Sequence, residues 1–317
     1  MRHLLYIVPI LLALWFVDQC LSRDRRVGWE RNAMRGYEYR WTKADGRKVL
    51  LLGSSTAVDW LPADYLAPLL RVGREQVLDA HVNGCHQDCA WAIVRRAVQE
   101  QRRFEISVIG VNQFQQCDDL HPKRSLQQYT LMPTRDLPRA LALHARGEQP
   151  LLAAGRLLAN ILSGTYGDTH YLQGQWRDAL LGARDPKRAH RWYSAVAPPG
   201  APPPFCDYAP ERVAYKLAVT AALLDDLGGI SERVILVLLP DVSLSQQGEP
   251  GRATAWAAHR AAHVALAAQR PFVTLIDLSH GGAREPADFS DGTHLSRRGM
   301  RVQQALFARE LAAAGAP

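Results

Sequence analysis

Short apolar runs alternate with segments of helical spacing, and this alternation constrains the fold more than any other feature of the chain. The runs are nearly continuous in Val, Ile and Leu, as strands buried on both faces of a sheet must be. The predicted strands are Val49–Leu52, Val77–Val82, Ile106–Val111, Val234–Leu239 and Phe272–Leu278. The predicted helices are 61–70, 87–103, 210–227, 252–269 and 296–314. Strand alternating with helix predicts an α/β domain whose parallel sheet carries helices on both faces.

The regular alternation fails between the third and fourth predicted strands. Helical spacing there is confined to residues 137–144 and 151–162, and a proline-rich run at 198–204 excludes helix and central strand. Long irregular segments inside compact domains usually serve a function or are disordered. We therefore expect residues 118–205 to form an insertion that folds over the sheet.

The N-terminus carries an unbroken apolar run, Leu4–Val17, which is short for the span of about 20 residues that crosses a bilayer. Extension to Leu21 gives a marginal transmembrane helix, and no small-x-small cleavage site follows the run. We expect residues 1–21 to be an uncleaved signal anchor, with a cleaved signal peptide as the alternative. Arginines follow the run at positions 23, 25 and 26, and the positive-inside rule weighs them against export.

Residues 22–47 alternate between polar and aromatic side chains, which is typical of a juxtamembrane linker with interfacial aromatics. Those aromatic residues are Trp29, Tyr37, Tyr39 and Trp41. The folded domain is then expected to span residues 48–317.

The net charge of +7 comes mostly from arginine, and the sequence has neither a lysine-arginine run with interleaved aromatics nor a zinc-finger spacing. We expect no nucleic-acid partner.

Five cysteines bear on the cellular compartment of the protein. One, Cys20, sits at the end of the predicted anchor, and the four in the soluble part suit two disulfides in an oxidising compartment, with four buried thiols as the alternative. These four are Cys85, Cys89, Cys117 and Cys206.

Polar groups and glycines follow the predicted strands where ligands sit in a doubly wound sheet. They are Ser54 and Ser55 after the first strand, Gly84 after the second, Asn112 after the third, and Asp291 with His294 after the last. A serine hydroxyl is a nucleophile at neutral pH when an imidazole accepts its proton and an acid fixes that imidazole. Amide groups converging on the same point would form an oxyanion hole.

These residues, in this order and each after a strand, resemble the motif blocks of the SGNH/GDSL hydrolase superfamily over residues 48–116 and 232–300. The resemblance implies a three-layer flavodoxin-like fold, Ser55 as nucleophile, His294 as general base and Asp291 as its orienting acid. It implies oxyanion donors from Ser55, Gly84 and Asn112. The usual acidic second position of the first block is Ser54 here, which leaves Ser54 as the alternative nucleophile. This Gly-Ser-Ser form is similar to membrane-anchored envelope members of the family.

The resemblance implies an O-acyltransferase that works through an acyl ester on Ser55 and modifies a cell-envelope polysaccharide or related polymer. It further implies an inner-membrane protein with its domain in the periplasm and a polytopic membrane O-acyltransferase as partner. An acyl esterase on the same substrates is one alternative, and a non-catalytic glycan-binding or scaffold subunit is another. No cofactor and no metal are expected.

Several other residues carry open interpretations. Asp288 is the alternative orienting acid, and His259 and His263 are spaced as metal ligands on a helix, although an exposed helix face is the favoured interpretation. His81 and His86 flank the second block, where either contact with substrate or a structural role fits. We predict a disulfide that staples the loops at the site, from Cys117 to Cys85 or to Cys89.

Overall fold

A computed structural model describes residue 13, residue 37 and residues 39–82, 85–112, 118–119, 132–144, 206–207, 210–239, 250–279, 285–290 and 294–315. The predicted anchor at 1–21 therefore lies outside the described residues, except for residue 13. None of the helices within the described ranges is long and apolar enough to cross a membrane.

Five parallel strands form the central sheet in the order β2-β1-β3-β6-β7. They are β1 (Val49–Leu52), β2 (Val77–Asp79), β3 (Phe104–Asn112), β6 (Ser231–Leu239) and β7 (Val273–Asp277). Each corresponds to a predicted strand, so the α/β class and the parallel sheet are confirmed. The order reverses between β1 and β3, which makes this pair the switch point where doubly wound sheets bind ligands.

Seven helices surround the sheet in the described part of the chain. They are α1 (Ser55–Trp60), α2 (Ala63–Leu69), α3 (Gln87–Gln99), α4 (Leu137–His144), α5 (Pro210–Gly228), α6 (Pro250–Ala268) and α7 (Arg297–Ala313). The single helix predicted at 61–70 is replaced by α1 and α2, which meet at Pro62, the residue that caps α2. Proline at this junction cannot donate a backbone hydrogen bond to continue α1.

The sheet separates two apolar clusters, because alternate residues of each strand face opposite sides. Leu50 and Leu52 face the cluster that includes Trp91 of α3 and Leu223 of α5. On the opposite face, Leu51 packs with residues of α1, α2 and α7. The β1 residues in both clusters are fully buried, as the unbroken apolar composition of that strand requires.

The apolar core includes residues from the predicted linker. Tyr37 is 0% exposed and Trp41 is 1% exposed, and both belong to the cluster of α3 and α5. The indole Nε1 of Trp41 donates to Glu100 at 2.8 Å. The interpretation as interfacial aromatics is therefore wrong for these two residues, while Tyr39 is 63% exposed and Trp29 lies outside the described residues. The packed domain begins before residue 48.

The described part of the predicted insertion packs against the helices through an ion-pair network. Arg95 of α3 contacts Asp136 at 2.8 Å and Asp226 of α5 at 3.0 Å. Arg139 of α4 contacts the same Asp226 at 3.0 Å. A short antiparallel pair, β4 (Asp118–Asp119) with β5 (Cys206–Asp207), joins the two ends of the insertion. The predicted helix at 151–162 lies outside the described residues.

Candidate active site

Two glycines bring α1 onto the carboxyl edge of the sheet. A Cβ at Gly53 would lie 2.4 Å from Ala57 Cβ, and the backbone there has a φ of +152°. A Cβ at Gly110 of β3 would lie 3.0 Å from the same Ala57 atom. Side chains at either position would push α1 away, so glycine lets the chain turn sharply after β1. This turn sets the position of Ser55, the first residue of α1.

Ser55 and His294 meet at this edge although 239 residues separate them. The Ser55 Oγ and His294 Nε2 atoms are 2.9 Å apart. Both residues are half-buried, so the pair is shielded yet open to a ligand. With its proton on Nδ1, the imidazole accepts the serine hydroxyl proton at Nε2. This is the geometry of a nucleophile beside a general base.

The segment before α7 fixes the backbone of His294. Ser290 donates to the His294 carbonyl from its backbone N–H at 2.8 Å and from its hydroxyl at 3.2 Å. Phe289 and Leu295, both buried, form an antiparallel bridge. Ser296 then caps α7, accepting from the Gly299 N–H at 3.2 Å. A buried bridge and a capped helix thus anchor the backbone that carries the His294 imidazole.

Asp291, the predicted orienting acid, lies outside the described residues, and so does Gly84. The alternative acid, Asp288, contacts residues 285 and 298 through its carboxylate. Its Oδ2 accepts from the Glu285 N–H at 3.0 Å, and its Oδ1 lies 3.3 Å from Arg298 Nε. Its backbone carbonyl accepts from the Ser296 N–H at 2.8 Å. These contacts tie Asp288 to the start of α7.

A chain of side-chain hydrogen bonds links Ser54 to Asn112 through Thr56. Asn112 Nδ2 donates to Thr56 Oγ1 at 3.3 Å, and Thr56 Oγ1 lies 2.8 Å from Ser54 Oγ. Asn112 and Ser54 are both buried. The chain places the Asn112 amide beside α1, where the sequence predicts an oxyanion donor. It also distinguishes the two serines, since Ser54 bonds Thr56 whereas Ser55 bonds His294.

Sequence reasoning missed a second carboxylate–imidazole pair next to the serine turn. Asp79 Oδ1 lies 2.9 Å from His81 Nδ1, and Arg40 donates to the backbone carbonyls of both residues. Burial is the largest influence on the Asp79 pKa and raises it, yet the hydrogen bonds and charge of His81, with the charge of Arg40, lower that pKa to about 2. The sequence signal that could have indicated this pair is the Asp-x-His motif at the end of the second predicted strand.

The disulfide differs from the predicted one. Cys85 bonds Cys89, with their Cα atoms 5.3 Å apart, so neither residue is joined to Cys117. The predicted staple between loops is wrong because Cys89 lies in the first turn of α3 and Cys85 just precedes that helix, a separation that a disulfide spans. His86 lies at the N-cap of α3 between them. The side chains of Cys117 and Cys206 lie outside the described residues.

The interpretation of His259 and His263 as an exposed helix face is wrong. They are 3% and 0% exposed, and their rings pack 4.3 Å apart between centroids. Burial is the main influence that lowers the pKa of both imidazoles. His263 Nδ1 lies 2.8 Å from the His259 carbonyl, an ordinary helix-internal contact. Within the described ranges, no three His, Cys, Asp or Glu side chains group as metal ligands.

The fold and the site define an α/β protein with a serine–histidine pair at the switch point of its sheet. Neither a model of a known protein family nor a curated protein matches the sequence.

Proposed function

We propose that the protein is an SGNH-type serine acyltransferase, which transfers an acyl group through a covalent ester on Ser55. The observation that carries the proposal is the 2.9 Å contact between Ser55 Oγ and His294 Nε2 at the carboxyl edge of the sheet. A half-buried serine in hydrogen-bond reach of an imidazole suits nucleophilic catalysis, and the switch point is where ligands bind in such sheets. Neither feature is needed for packing alone.

The chemistry proceeds in two half-reactions on the same two side chains. Ser55 Oγ attacks the carbonyl carbon of an ester donor while His294 Nε2 takes the hydroxyl proton. The tetrahedral intermediate collapses, the donor C–O bond breaks, and His294 returns the proton to the leaving alcohol. An acceptor hydroxyl then attacks the acyl-serine, gives its proton to His294, and releases Ser55 when the proton is returned.

Two further roles complete the proposed site. Asn112 Nδ2, the Ser55 backbone N–H and the Gly84 backbone N–H donate to the oxyanion, each worth about 3 kcal/mol of transition-state stabilisation in known cases. Asp291 accepts from His294 Nδ1 and holds the tautomer that keeps Nε2 a base. The Thr56 contact supports the Asn112 role because it orients that amide next to Ser55.

The proposed substrate is a cell-envelope polysaccharide or related polymer. Two features support that setting: the apolar run Leu4–Val17, which would anchor the chain in the inner membrane, and the Cys85–Cys89 disulfide, which suits the periplasm. A polytopic membrane O-acyltransferase would supply acyl groups from the cytoplasm. Hydrolysis by an esterase uses the same acyl-serine with water as acceptor, and a glycan-binding subunit would use none of this chemistry.

The first experiment compares turnover of p-nitrophenyl acetate by the purified full-length protein and its Ser55→Ala, His294→Gln and Ser54→Ala variants. We expect losses of about 1,000-fold or more for Ser55→Ala and His294→Gln, because removal of either member of such a pair abolishes the proton transfer. Ser54→Ala should lower turnover by no more than about tenfold. The Ser54 hydroxyl bonds Thr56, which in turn accepts from the Asn112 amide, so its loss affects the site indirectly. Equal rates for wild type and Ser55→Ala would overturn the assignment and favour the binding subunit.

A second measurement separates transfer from hydrolysis. The acyl-enzyme is formed with the chromogenic ester and then mixed with an oligosaccharide acceptor, and the products are analysed by mass spectrometry. Acylated oligosaccharide is the product of transfer, whereas free acetate alone identifies the protein as an esterase.

A further inference from the structure

We infer that Arg40, Asp79 and His81 form a buttress that positions the serine turn, which makes the segment around residue 40 part of the supporting structure of the active site. The inference rests on the proposed role of Ser55. It assigns these three as positioning residues, because none of them touches the reacting atoms.

In the outer part of the buttress, one arginine donates hydrogen bonds to two backbone carbonyls. Arg40 donates from Nε to the Asp79 carbonyl at 2.5 Å and from Nη2 to the His81 carbonyl at 2.6 Å. Tyr37 and Trp41, three residues before and one residue after Arg40, are buried in the core, which anchors the segment that carries Arg40. A planar guanidinium can bond both carbonyls at once, which an ammonium group cannot match in geometry.

The middle part is the carboxylate–imidazole pair at the end of β2. Asp79 Oδ1 accepts from the His81 N–H at 3.1 Å and contacts the ring Nδ1 at 2.9 Å. The carboxylate can only accept, so Nδ1 carries the proton and the ring is fixed in one orientation. The His81 side chain is 2% exposed, which leaves it no access to a ligand.

The inner part is the close approach of this ring to the side-chain position of the glycine that begins the serine turn. His81 Cδ2 and Nε2 lie 3.2 Å and 3.4 Å from the position that a Cβ of Gly53 would take. The Val82 N–H donates to the Gly53 carbonyl at 3.1 Å. The ring thus fills the space beside Gly53 where a side chain would stand, and the segment after β2 bonds the Gly53 carbonyl, two residues before Ser55.

The hydrogen bonding of the His81 imidazole indicates that this ring positions Gly53 and does more than fill space. In the described part of the chain His81 Nε2 is buried with no hydrogen-bond partner. Leaving such a group unpaired costs about 1–3 kcal/mol, which an apolar side chain of similar size would avoid. The imidazole is useful here because its other nitrogen binds Asp79 and sets the ring angle against Gly53.

The test compares Arg40→Gln with Arg47→Gln, a matched variant whose exposed guanidinium donates to the Lys43 carbonyl at 3.0 Å and to no other group in the described part of the chain. Ester turnover, the labelling rate of Ser55 by a fluorophosphonate, and the free energy of unfolding are measured on full-length protein. For Arg40→Gln we expect kcat and the labelling rate to fall about 10- to 100-fold with KM within about twofold, since a small displacement of a reacting group costs this much. Arg47→Gln should match wild type.

A second variant, His81→Phe, keeps the ring bulk and removes the bond to Asp79. Its kcat should fall by a similar factor, and the double variant with Arg40→Gln should fall little further, because both act through one chain of contacts. If the kcat losses of the two single variants multiply in full in the double variant, the buttress is overturned. A fully folded Arg40→Gln with wild-type kcat would overturn it as well, while an unaffected Ser55→Ala would overturn the proposed function instead.

Discussion

Replacement of Asp79 by Asn should destabilise the protein by an amount that depends on pH. Burial alone would raise the pKa of this carboxyl, yet the hydrogen bonds and charge of His81, with the charge of Arg40, lower it from 3.8 to about 2. The difference of about 1.8 pH units, at about 1.4 kcal/mol per unit, corresponds to about 2.5 kcal/mol of folding free energy, which solvent screening reduces to about 2 kcal/mol. The side chain is 23% exposed, so solvent screens only part of this interaction.

The sign of the effect follows from the depressed pKa. The unfolded chain binds the proton more tightly than the folded protein, so the stabilisation is fully present above about pH 4 and disappears as the pH falls through about 2. Asn keeps the shape and an accepting oxygen but has no charge. Wild type should therefore exceed Asp79→Asn by about 2 kcal/mol at pH 5–7 and approach it near pH 2.

Urea denaturation of full-length protein followed by circular dichroism at pH 7, 5, 3 and 2 measures this difference. Asp64→Asn is the control, because that carboxylate is 84% exposed and, among the described residues, pairs only with a surface arginine. The control should stay within a few tenths of a kcal/mol of wild type at every pH. A difference for Asp79→Asn that is absent at pH 7, or equally large at pH 2, would refute the reasoning.

Three other substitutions test the site and its frame. Gly53→Ala should abolish ester turnover because its Cβ would lie 2.4 Å from the side chain packed on the turn, whereas Gly46→Ala, in open space at a φ of +72°, should cost about 1 kcal/mol and keep full activity. Ser296→Ala should lower the unfolding free energy by about 1 kcal/mol through loss of the α7 cap, and Ser296→Thr should restore most of it. Lys216→Met leaves the Asp88 carboxylate buried without its cation and should cost about 3–5 kcal/mol in urea denaturation, most of it recovered when Asp88→Leu is added.

The sheet could be predicted because its strands are buried on both faces. A run such as Val234–Leu239 has no polar interruption, and in the structure all six residues are 0% exposed. The contact between Ser55 and His294 was predicted for a related reason. Both residues follow strands of one parallel sheet, and parallel strands deliver their carboxyl ends to a single edge.

Features that depend on long-range packing could not be predicted from local pattern. Tyr37 and Trp41 have the composition of an interfacial segment, and only the groove beside α3 makes them core residues. The pair His259 and His263 has the spacing of a polar helix face, yet α6 turns that face inward. The cysteine pairing was missed for the opposite reason, since the bridge closes within four residues while the prediction favoured a bond between loops.

Strand register explains why the buttress behind Ser55 was invisible in the sequence. Leu51 pairs with Asp79, and continuing that register sets His81 beside Gly53 on the face that α1 covers. A slip of one residue between β1 and β2 would turn both Asp79 and His81 to the opposite face, towards α3. The sequence contains the Asp-x-His motif and Gly53, but no local pattern predicts the register between β1 and β2. The separate register between β1 and β3 pairs Leu51 with Val108 and sets Asn112 on the α1 face as well, so two strand registers together assemble the two flanks of the serine turn.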